Sequence, residues 1–163
     1  TLTYNLATMH PITLKCEPDE KFTYKGANLL VDGMTGDDNY RSGRYIGIYG
    51  QDFDATIDLQ EPKEISSVSL GTYLVPGDYI FGLTGLEVYG SEDGKTYSKI
   101  ASKAIPTLEK GSKNNVLKRD TVNFDKTKTR YVQIIGKNTP VLPKWHPGAG
   151  KQTYLFLDEI AIN

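Results

Sequence analysis

The sequence predicts an all-β domain built as an antiparallel sandwich or barrel, and three observations support this fold class. First, no window of about 11 residues keeps apolar side chains at the i, i+3, i+4, i+7 spacing of an amphipathic helix. Second, short apolar or alternating runs recur along the chain and are bounded by Gly, Pro, Asp and Asn. Third, the 11 Tyr residues and the spread of Val, Ile and Thr suit pleated, half-buried surfaces. Short strands at this spacing are typical of antiparallel sandwiches and barrels.

The candidate strands follow one another along the whole chain. They are Ile12–Lys15, Ala55–Leu59, Ile65–Thr72, Gly85–Tyr89, Tyr97–Ala101, Thr121–Phe124, Arg130–Ile135, Thr153–Leu157 and Glu159–Ile162. The pair Asp93–Gly94 lies between two of these runs and supplies the positive φ that a tight hairpin needs. Glycines recur between residues 33 and 50, so we interpret that segment as an ordered loop rather than a strand. The polar segment Pro106–Lys118 is interpreted as a surface loop.

Length and charge favour one domain over residues 1–163. A chain of 163 residues is long enough to bury a core of its own, and 38% hydrophobic with 24% charged residues is ordinary for a globular protein. The net charge of −1 leaves no basic surface for nucleic acid or anionic lipid. No apolar run approaches the roughly 20 residues that a membrane span needs. Because the sequence starts at Thr1 without Met, we expect it to be a piece of a longer protein.

Catalytic motifs are missing from the sequence. It has no Gly-x-Ser-x-Gly elbow, no phosphate-binding Gly-Lys-Ser/Thr loop and no His-Glu-x-x-His. The single cysteine, Cys16, excludes an internal disulfide and a Cys-rich zinc site. Asp158 and Glu159 are adjacent in a predicted strand, where successive side chains point to opposite faces, so they are not expected to act as a pair. We therefore predict a chain that is not itself an enzyme.

Seven segments, in the same order, resemble the discoidin or factor V/VIII type C domain and, within it, carbohydrate-binding module family 32. They are Asn5–Ala7, Gly26–Gly33, Gly43–Gly47, Ala55–Leu59, Val88–Gly94, Arg130–Ile134 and Phe156–Ile160. The run Leu142–Gly150 together with Phe156–Ile160 is similar to C-terminal modules of Bacteroidetes β-N-acetylhexosaminidases, often called chitobiases. The resemblance implies a galactose-binding-domain-like, eight-stranded antiparallel jelly-roll sandwich with a structural calcium ion and ligand binding on its loops.

The calcium ion implied by the resemblance would be held by residues from both ends of the chain. Calcium prefers carboxylate and carbonyl oxygens presented by a tight loop, and Leu29–Asn39 is such a segment. By resemblance, Asp32 gives the first carboxylate, Glu159 comes from the last strand, and a carbonyl of Leu29 or its neighbour joins them. Asp37 is a further candidate, although it stands where the family has a Thr. The alternative is an Asx-turn at Asp32 with Glu159 in solvent.

Sugar binding needs an aromatic platform for the C–H face and planar polar groups for the hydroxyls. Three loops combine such side chains: Tyr40–Tyr45, Tyr73–Phe81 and Lys144–His146. The resemblance implies that they converge at one end of the sandwich. The candidate ligand-binding residues are Arg44, Tyr73, Asp78, Tyr79, Trp145 and His146. Three of them also have a structural interpretation: Trp145 can lock its loop against the sheet, His146 can bond a backbone carbonyl, and Arg44 can pair with Asp32 or Asp38.

These features lead us to expect a non-catalytic carbohydrate-binding module. It would target an appended, bacterial, secreted, periplasmic or cell-surface β-N-acetylhexosaminidase-like glycoside hydrolase to glycans with terminal Gal, GalNAc or GlcNAc. One alternative is a structural interdomain module that packs on the catalytic domain and has no glycan site. Another is a protein- or phospholipid-binding discoidin domain, which the near-neutral charge and the polar Tyr/Arg/Asp loops disfavour.

Overall fold

The computed structural model of the protein describes residues 4–112 and 115–163. Thr1, and Lys113 and Asn114 in the middle of the predicted loop Pro106–Lys118, lie outside the described residues. In the described part of the chain the predicted all-β antiparallel sandwich is confirmed, with seven strands and two short 3-10 helices. The strands are β1 (Ile12–Leu14), β2 (Ile46–Tyr49), β3 (Phe53–Leu74), β4 (Leu83–Ser91), β5 (Ser98–Ala104), β6 (Val116–Asn138) and β7 (Tyr154–Ile162). The 3-10 helices are Glu20–Phe22 and Ala27–Val31, and neither is long enough to cross a bilayer.

Two long strands, β3 and β6, connect the two layers of the sandwich. They pair with each other in two stretches, and the register shifts between Asp58 and Lys63. The first half of β3 pairs with β1, its second half pairs with β7, and the second half of β6 pairs with β4. Each long strand had been predicted as two separate strands. The structure therefore has fewer, longer strands than the eight expected, because the chain continues through the bend without a turn.

Strand β2 falls in the segment that we had interpreted as a loop, and that interpretation is wrong for Ile46–Tyr49. This strand pairs with β7 over four residues. An added Cβ at Gly47 would lie 2.8 Å from Phe22 Cβ and 2.9 Å from Phe156 Cε1. Gly47 therefore allows close packing of two aromatic rings against the strand instead of turning the chain.

The core lies between the layers and is filled by the inward-facing residues of each strand. Ile57 on β3, Ile134 on β6 and Leu157 on β7 are fully buried in one apolar cluster that both layers share. Burying each such side chain contributes roughly 1.5–3 kcal/mol relative to leaving it exposed. Cys16 is buried at the edge of this cluster, where it serves as a small apolar residue.

The last strand closes the domain against the first described residues. The Leu6 amide donates to the Ile162 carbonyl at 2.9 Å, and the Ile162 amide donates to Asn5 Oδ1 at 3.2 Å. The two predicted strands at the C-terminal end are one strand, β7, which pairs with β2 on one side and β3 on the other. This central position places β7 beside the loop of residues 32–37.

Candidate functional site

A bulge in β7 brings two carboxylates to one loop. Leu70 pairs with Ile160 and Thr72 pairs with Leu157, so two residues of β7, Asp158 and Glu159, lie opposite the single residue Gly71. Their side chains are buried, at 0% and 2% exposure. The expectation that they point to opposite faces is wrong here, because the bulge interrupts the alternation of side chains and both carboxylates contact the loop of residues 33–36.

Both carboxylates hold the loop that follows the second 3-10 helix. The Gly33 amide donates to Glu159 Oε2 at 2.7 Å, and the Gly36 amide donates to Asp158 Oδ2 at 2.9 Å. Arg119 on β6 also donates from Nη2 to both oxygens of Asp158, at 3.2 Å each. These bonds fix the loop on the sheet from two points.

Glu159 is the electrostatically unusual group of this region. Burial raises the pKa of Glu159 to about 9, and the nearby carboxylates of Asp32 and Asp158 raise it as well. Its second oxygen, Oε1, is buried and has no hydrogen-bond partner among the residues that the structure describes. Burial also raises the pKa of Asp158, while Gly36 and Arg119 lower it. A buried acceptor beside a second carboxylate is the environment in which a cation would replace a proton.

The other predicted metal ligands have different surroundings. Leu29 is buried in the second 3-10 helix and lines a groove together with Asp32. The Asp37 carboxylate is instead engaged with Arg44 Nε at 3.8 Å and with the Asn39 amide at 3.1 Å, and its carbonyl accepts from Tyr45. In the described residues no three His, Cys, Asp or Glu side chains converge as metal ligands. Any cation here would depend on backbone oxygens.

An aromatic cluster adjoins the end of the loop of residues 32–37. Phe22 packs edge-on against Phe156, with ring centroids 4.8 Å apart, and Tyr154 stacks on Phe156 at 5.6 Å. Tyr40 contacts Phe156 at 4.9 Å. Tyr73 is buried in this cluster, and its hydroxyl donates to the Asp38 carbonyl. The predicted ligand residue Tyr73 thus has a structural partner and does not line the cleft beside it.

This cluster forms the floor of a surface cleft of about 400 Å³. The cleft combines aromatic rings with charged groups, and its lining residues are Lys21, Phe22, Tyr40, Arg41, Asp78, Tyr79, Ile80, Tyr154 and Phe156. Of the six predicted ligand-binding residues, the structure brings only Asp78 and Tyr79 into this cleft. The mixture of ring faces and polar groups is the composition that a sugar ring requires.

Polar contacts fix the rim of the cleft. The Tyr154 hydroxyl donates to Asp19 Oδ2 at 2.8 Å, and burial together with this bond raises the pKa of Tyr154 to about 12. The Asp78 carboxylate accepts from the Tyr79 amide at 3.0 Å. The Arg41 guanidinium lies over the Tyr40 ring, 5.3 Å from its centroid. Hydrogen-bonded carboxylates and a stacked guanidinium therefore lie around the cleft.

Arg44 lies outside this cleft and lines the groove that contains Asp32 and Leu29. Its predicted alternative partners were Asp32 and Asp38, but its ion pair is with Asp37. Arg44 and Asp37 are each 43% exposed, so the pair contributes little stability.

Trp145 and His146 form a packed loop. His146 is buried; its Nδ1 accepts from the Gly148 amide at 2.9 Å, so its Nε2 donates to the Pro76 carbonyl at 3.0 Å. Trp145 is half-buried and packs on Phe81, with ring centroids 5.7 Å apart and planes tilted by 31°. The ring of Tyr79 lies 6.1 Å from that of His146. This loop therefore supports the cleft wall at Tyr79 without lining it.

Sequence reasoning missed Phe22, Tyr154 and Lys21. Phe22 and Lys21 lie in a short 3-10 helix with no apolar periodicity, and Tyr154 reads as an ordinary strand residue. Tyr40 and Arg41 lay in a candidate loop, but only Arg44 was selected from it. The useful signal was the concentration of aromatic residues beside charged ones at positions 21–22 and 40–41.

Comparison with known proteins matches residues 15–155 to the family described as F5/8 type C domain. No curated protein matches the chain. Solved structures that share its fold include the following three. CpGH89CBM32-5 from Clostridium perfringens, in complex with GalNAc-β-1,3-galactose, is 19% identical over 93% of each chain, with a TM-score of 0.54. The lectin domain of lectinolysin, complexed with Lewis B antigen, is 20% identical, with coverage of 100% and 98% and a TM-score of 0.61. Chitosan-binding module 1 of a Paenibacillus sp. IK-5 chitosanase/glucanase is 13% identical over 99% of each chain, with a TM-score of 0.60.

Proposed function

The chain belongs to the F5/8 type C domain family, and we propose that it acts there as a non-catalytic carbohydrate-binding module. The observation that carries this proposal is the cleft between Tyr40, Tyr79 and Tyr154, where ring faces and hydrogen-bonding groups occur together. Structural neighbours that bind glycans support it: one holds GalNAc-β-1,3-galactose and another holds the Lewis B antigen. The module would work by weak binding that raises the local concentration of an attached enzyme near its substrate.

Glycan-array binding with a matched pair of tyrosine variants tests the cleft. Tyr79→Ala removes one ring from the cleft wall, and we expect it to weaken glycan binding at least about fivefold. Tyr4→Ala is the control, because Tyr4 is 78% exposed and lies outside the cleft. Equal binding by the two folded variants would contradict the assignment of the cleft.

The proposal also specifies the target sugars and the parent protein. We propose terminal Gal, GalNAc or GlcNAc residues as targets and a bacterial β-N-acetylhexosaminidase-like hydrolase, exported to the periplasm or cell surface, as the parent. The resemblance of the segments Leu142–Gly150 and Phe156–Ile160 supports the parent enzyme. Sequencing the gene on both sides of this segment tests it: we expect an export signal and a glycoside hydrolase domain in the same reading frame.

A structural calcium ion at the loop of residues 32–37 is also proposed. The residues fit such an ion, because Glu159 offers a buried oxygen without a partner beside the Asp32 carboxylate, and backbone carbonyls such as that of Leu29 are close in sequence. Asp37, engaged with Arg44, is the weakest of the four candidate ligands. Calcium would neutralise the buried carboxylates and hold the loop on β7.

Thermal unfolding with and without a chelator tests the calcium proposal. Because an ion that binds only the folded state stabilises it, EDTA should lower the melting temperature and added calcium should restore it. Glu159→Gln should abolish this response, whereas Asp125→Asn, an exposed strand residue away from the loop, should keep it. An unchanged melting temperature on chelation would argue against the ion.

One observation favours a structural interdomain role as the second candidate. Met9 and Met34, at 77% and 37% exposure, line an apolar groove with Leu29 and Val31. Exposed apolar surface of this kind is common where domains pack. A folded module that binds nothing on the array, but does bind the isolated catalytic domain in trans, would support this role over glycan binding.

A further inference from the structure

Two cations in the proposed glycan cleft form no close ion pair in the described residues. Lys21 and Arg41 both line the cleft, and in the described residues neither has a carboxylate oxygen within 4.0 Å of its charged nitrogens. Arg44, three residues further along the same loop, does have one, since it pairs with Asp37. The charged N–H groups of Lys21 and Arg41 are therefore free to donate to a ligand in the cleft.

The acids beside the cleft are already engaged by other donors. Asp19 accepts from the Lys21 amide through Oδ1 at 2.9 Å and from the Tyr154 hydroxyl through Oδ2 at 2.8 Å. Asp78 accepts from the Tyr79 amide through Oδ1. One Asp78 oxygen remains to accept a sugar hydroxyl. Because the side-chain N–H groups of Lys21 and Arg41 are not used by a carboxylate within 4.0 Å in the described residues, an acceptor-rich anionic group on a ligand would match them.

Arg41 is also held in a suitable position. Its amide donates to Asn39 Oδ1 at 3.0 Å, its carbonyl accepts from the Tyr24 hydroxyl at 3.4 Å, and its guanidinium lies on the Tyr40 ring. A guanidinium stacked on a ring keeps its N–H edges available, and their planar fork matches a carboxylate or sulfate.

We propose that the cleft selects glycans that carry an anionic group, either the carboxylate of a uronic acid or a sulfate ester. This rests on the proposed glycan-binding function and adds to it the chemical class of the sugar. Arg41 would bind the anionic group, Lys21 would add a second positive charge, and Asp78 would accept from a hydroxyl of the same or the next sugar. Tyr79 would contact the C–H face of the ring.

The test compares ligands that differ only in charge. Calorimetric titration at fixed calcium would use tetragalacturonate and its methyl ester, and a sulfated galactobiose and its desulfated form. The variants are Arg41→Gln and Lys21→Gln. The control is Lys99→Gln, which removes one positive charge from the exposed edge strand β5.

We expect at least one acidic ligand to bind about tenfold more tightly than its neutral counterpart, and added salt to reduce that preference. Arg41→Gln should remove most of the preference with little effect on the neutral ligand, Lys21→Gln should remove part of it, and Lys99→Gln should leave it. The ligand pair that shows the preference identifies the anionic group that the cleft selects as a carboxylate or a sulfate.

Three results would overturn the inference in distinguishable ways. Equal binding of acidic and neutral ligands that Tyr79→Ala still weakens would refute anion selection and leave the glycan cleft standing. A preference that Arg41→Gln does not change would place the anion elsewhere. Absence of binding to all four ligands and to a glycan array would refute both the inference and the function on which it rests.

Discussion

The contact between Gly71 and the β7 bulge gives a sharp prediction about stability. An added Cβ at Gly71 would overlap Asp158 Oδ1 and lie 2.8 Å from Arg119 Nη2. Because both neighbours are anchored by hydrogen bonds, Gly71→Ala must displace Asp158 from its site. Gly77→Ala is the matched control, since nothing lies within 4 Å of a Cβ built there.

The expected cost follows from what the displacement breaks. Overpacking a well-packed site costs about 1–3 kcal/mol. Moving Asp158 also weakens its bonds to Arg119 and the Gly36 amide, although the Arg119 side chain is 32% exposed and water replaces part of that interaction. We therefore expect Gly71→Ala to destabilise the protein by about 3 kcal/mol, or roughly 6–12 °C in melting temperature, and Gly77→Ala to stay within about 0.5 kcal/mol.

Urea unfolding followed by circular dichroism measures both variants. A double-mutant cycle identifies the cause: once Asp158→Ala has removed the carboxylate, Gly71→Ala should cost much less than it does alone. If Gly71→Ala were as stable as the parent protein, or if its cost persisted fully in the Asp158→Ala background, the bulge would not be the reason for glycine at this position.

Three further predictions concern other parts of the fold. Tyr45→Phe should destabilise the protein by about 1–2 kcal/mol in urea unfolding, because it leaves the Asp37 carbonyl without the hydroxyl that bonds it at 2.6 Å. Hydrogen bonds from Arg130 lower the pKa of Asp58. The ion pair therefore stabilises the fold above the unfolded-state pKa of about 4, and this stabilisation disappears as the pH falls through the lower folded-state pKa. Both side chains are partly exposed, so Asp58→Asn should cost less than about 1 kcal/mol at neutral pH and nothing in strong acid; an equal cost at both pH values would show that the charge is irrelevant. Burial raises the pKa of the Cys16 thiol, so a disulfide reagent should modify it far more slowly in the native protein than in urea, and equal rates would mean that the thiol is accessible.

Local turn chemistry made some elements predictable from the sequence. The hairpin between β4 and β5 was predicted at Asp93–Gly94, where Gly94 has φ 75° and Asp93 Oδ1 accepts from the Lys95 and Thr96 amides. Such turns can be recognised from a few consecutive residues, because the side chain that makes the turn forms hydrogen bonds with the backbone next to it.

Elements that depend on distant contacts were not predictable in this way. Gly47 reads as a turn residue, yet it lies in a strand because rings from elsewhere in the chain pack against it. The bulge at Asp158 and Glu159 depends on the partner strand, so alternation along β7 alone could not reveal it.

The candidate cleft was also not predictable as a whole, because its residues come from distant parts of the sequence. Asp19 and Tyr154, which bond at its rim, are 135 residues apart in sequence. Asp78 and Tyr79 could be selected from their loop composition, but their neighbours Phe22 and Lys21 come from a helix of three residues that carries no periodic signal.

The hydrogen bonds that join Leu6 to Ile162 have a consequence for protein engineering. Since the backbone positions near both ends of the described chain are adjacent, a short linker could connect them without disturbing the sheets. New ends opened at the exposed Asp93–Gly94 hairpin would then yield a circular permutant with the same layers and the same cleft. Such a permutant would present its attachment point at a different place on the surface, so the orientation of the module relative to a fused enzyme could be changed while the binding face stays intact.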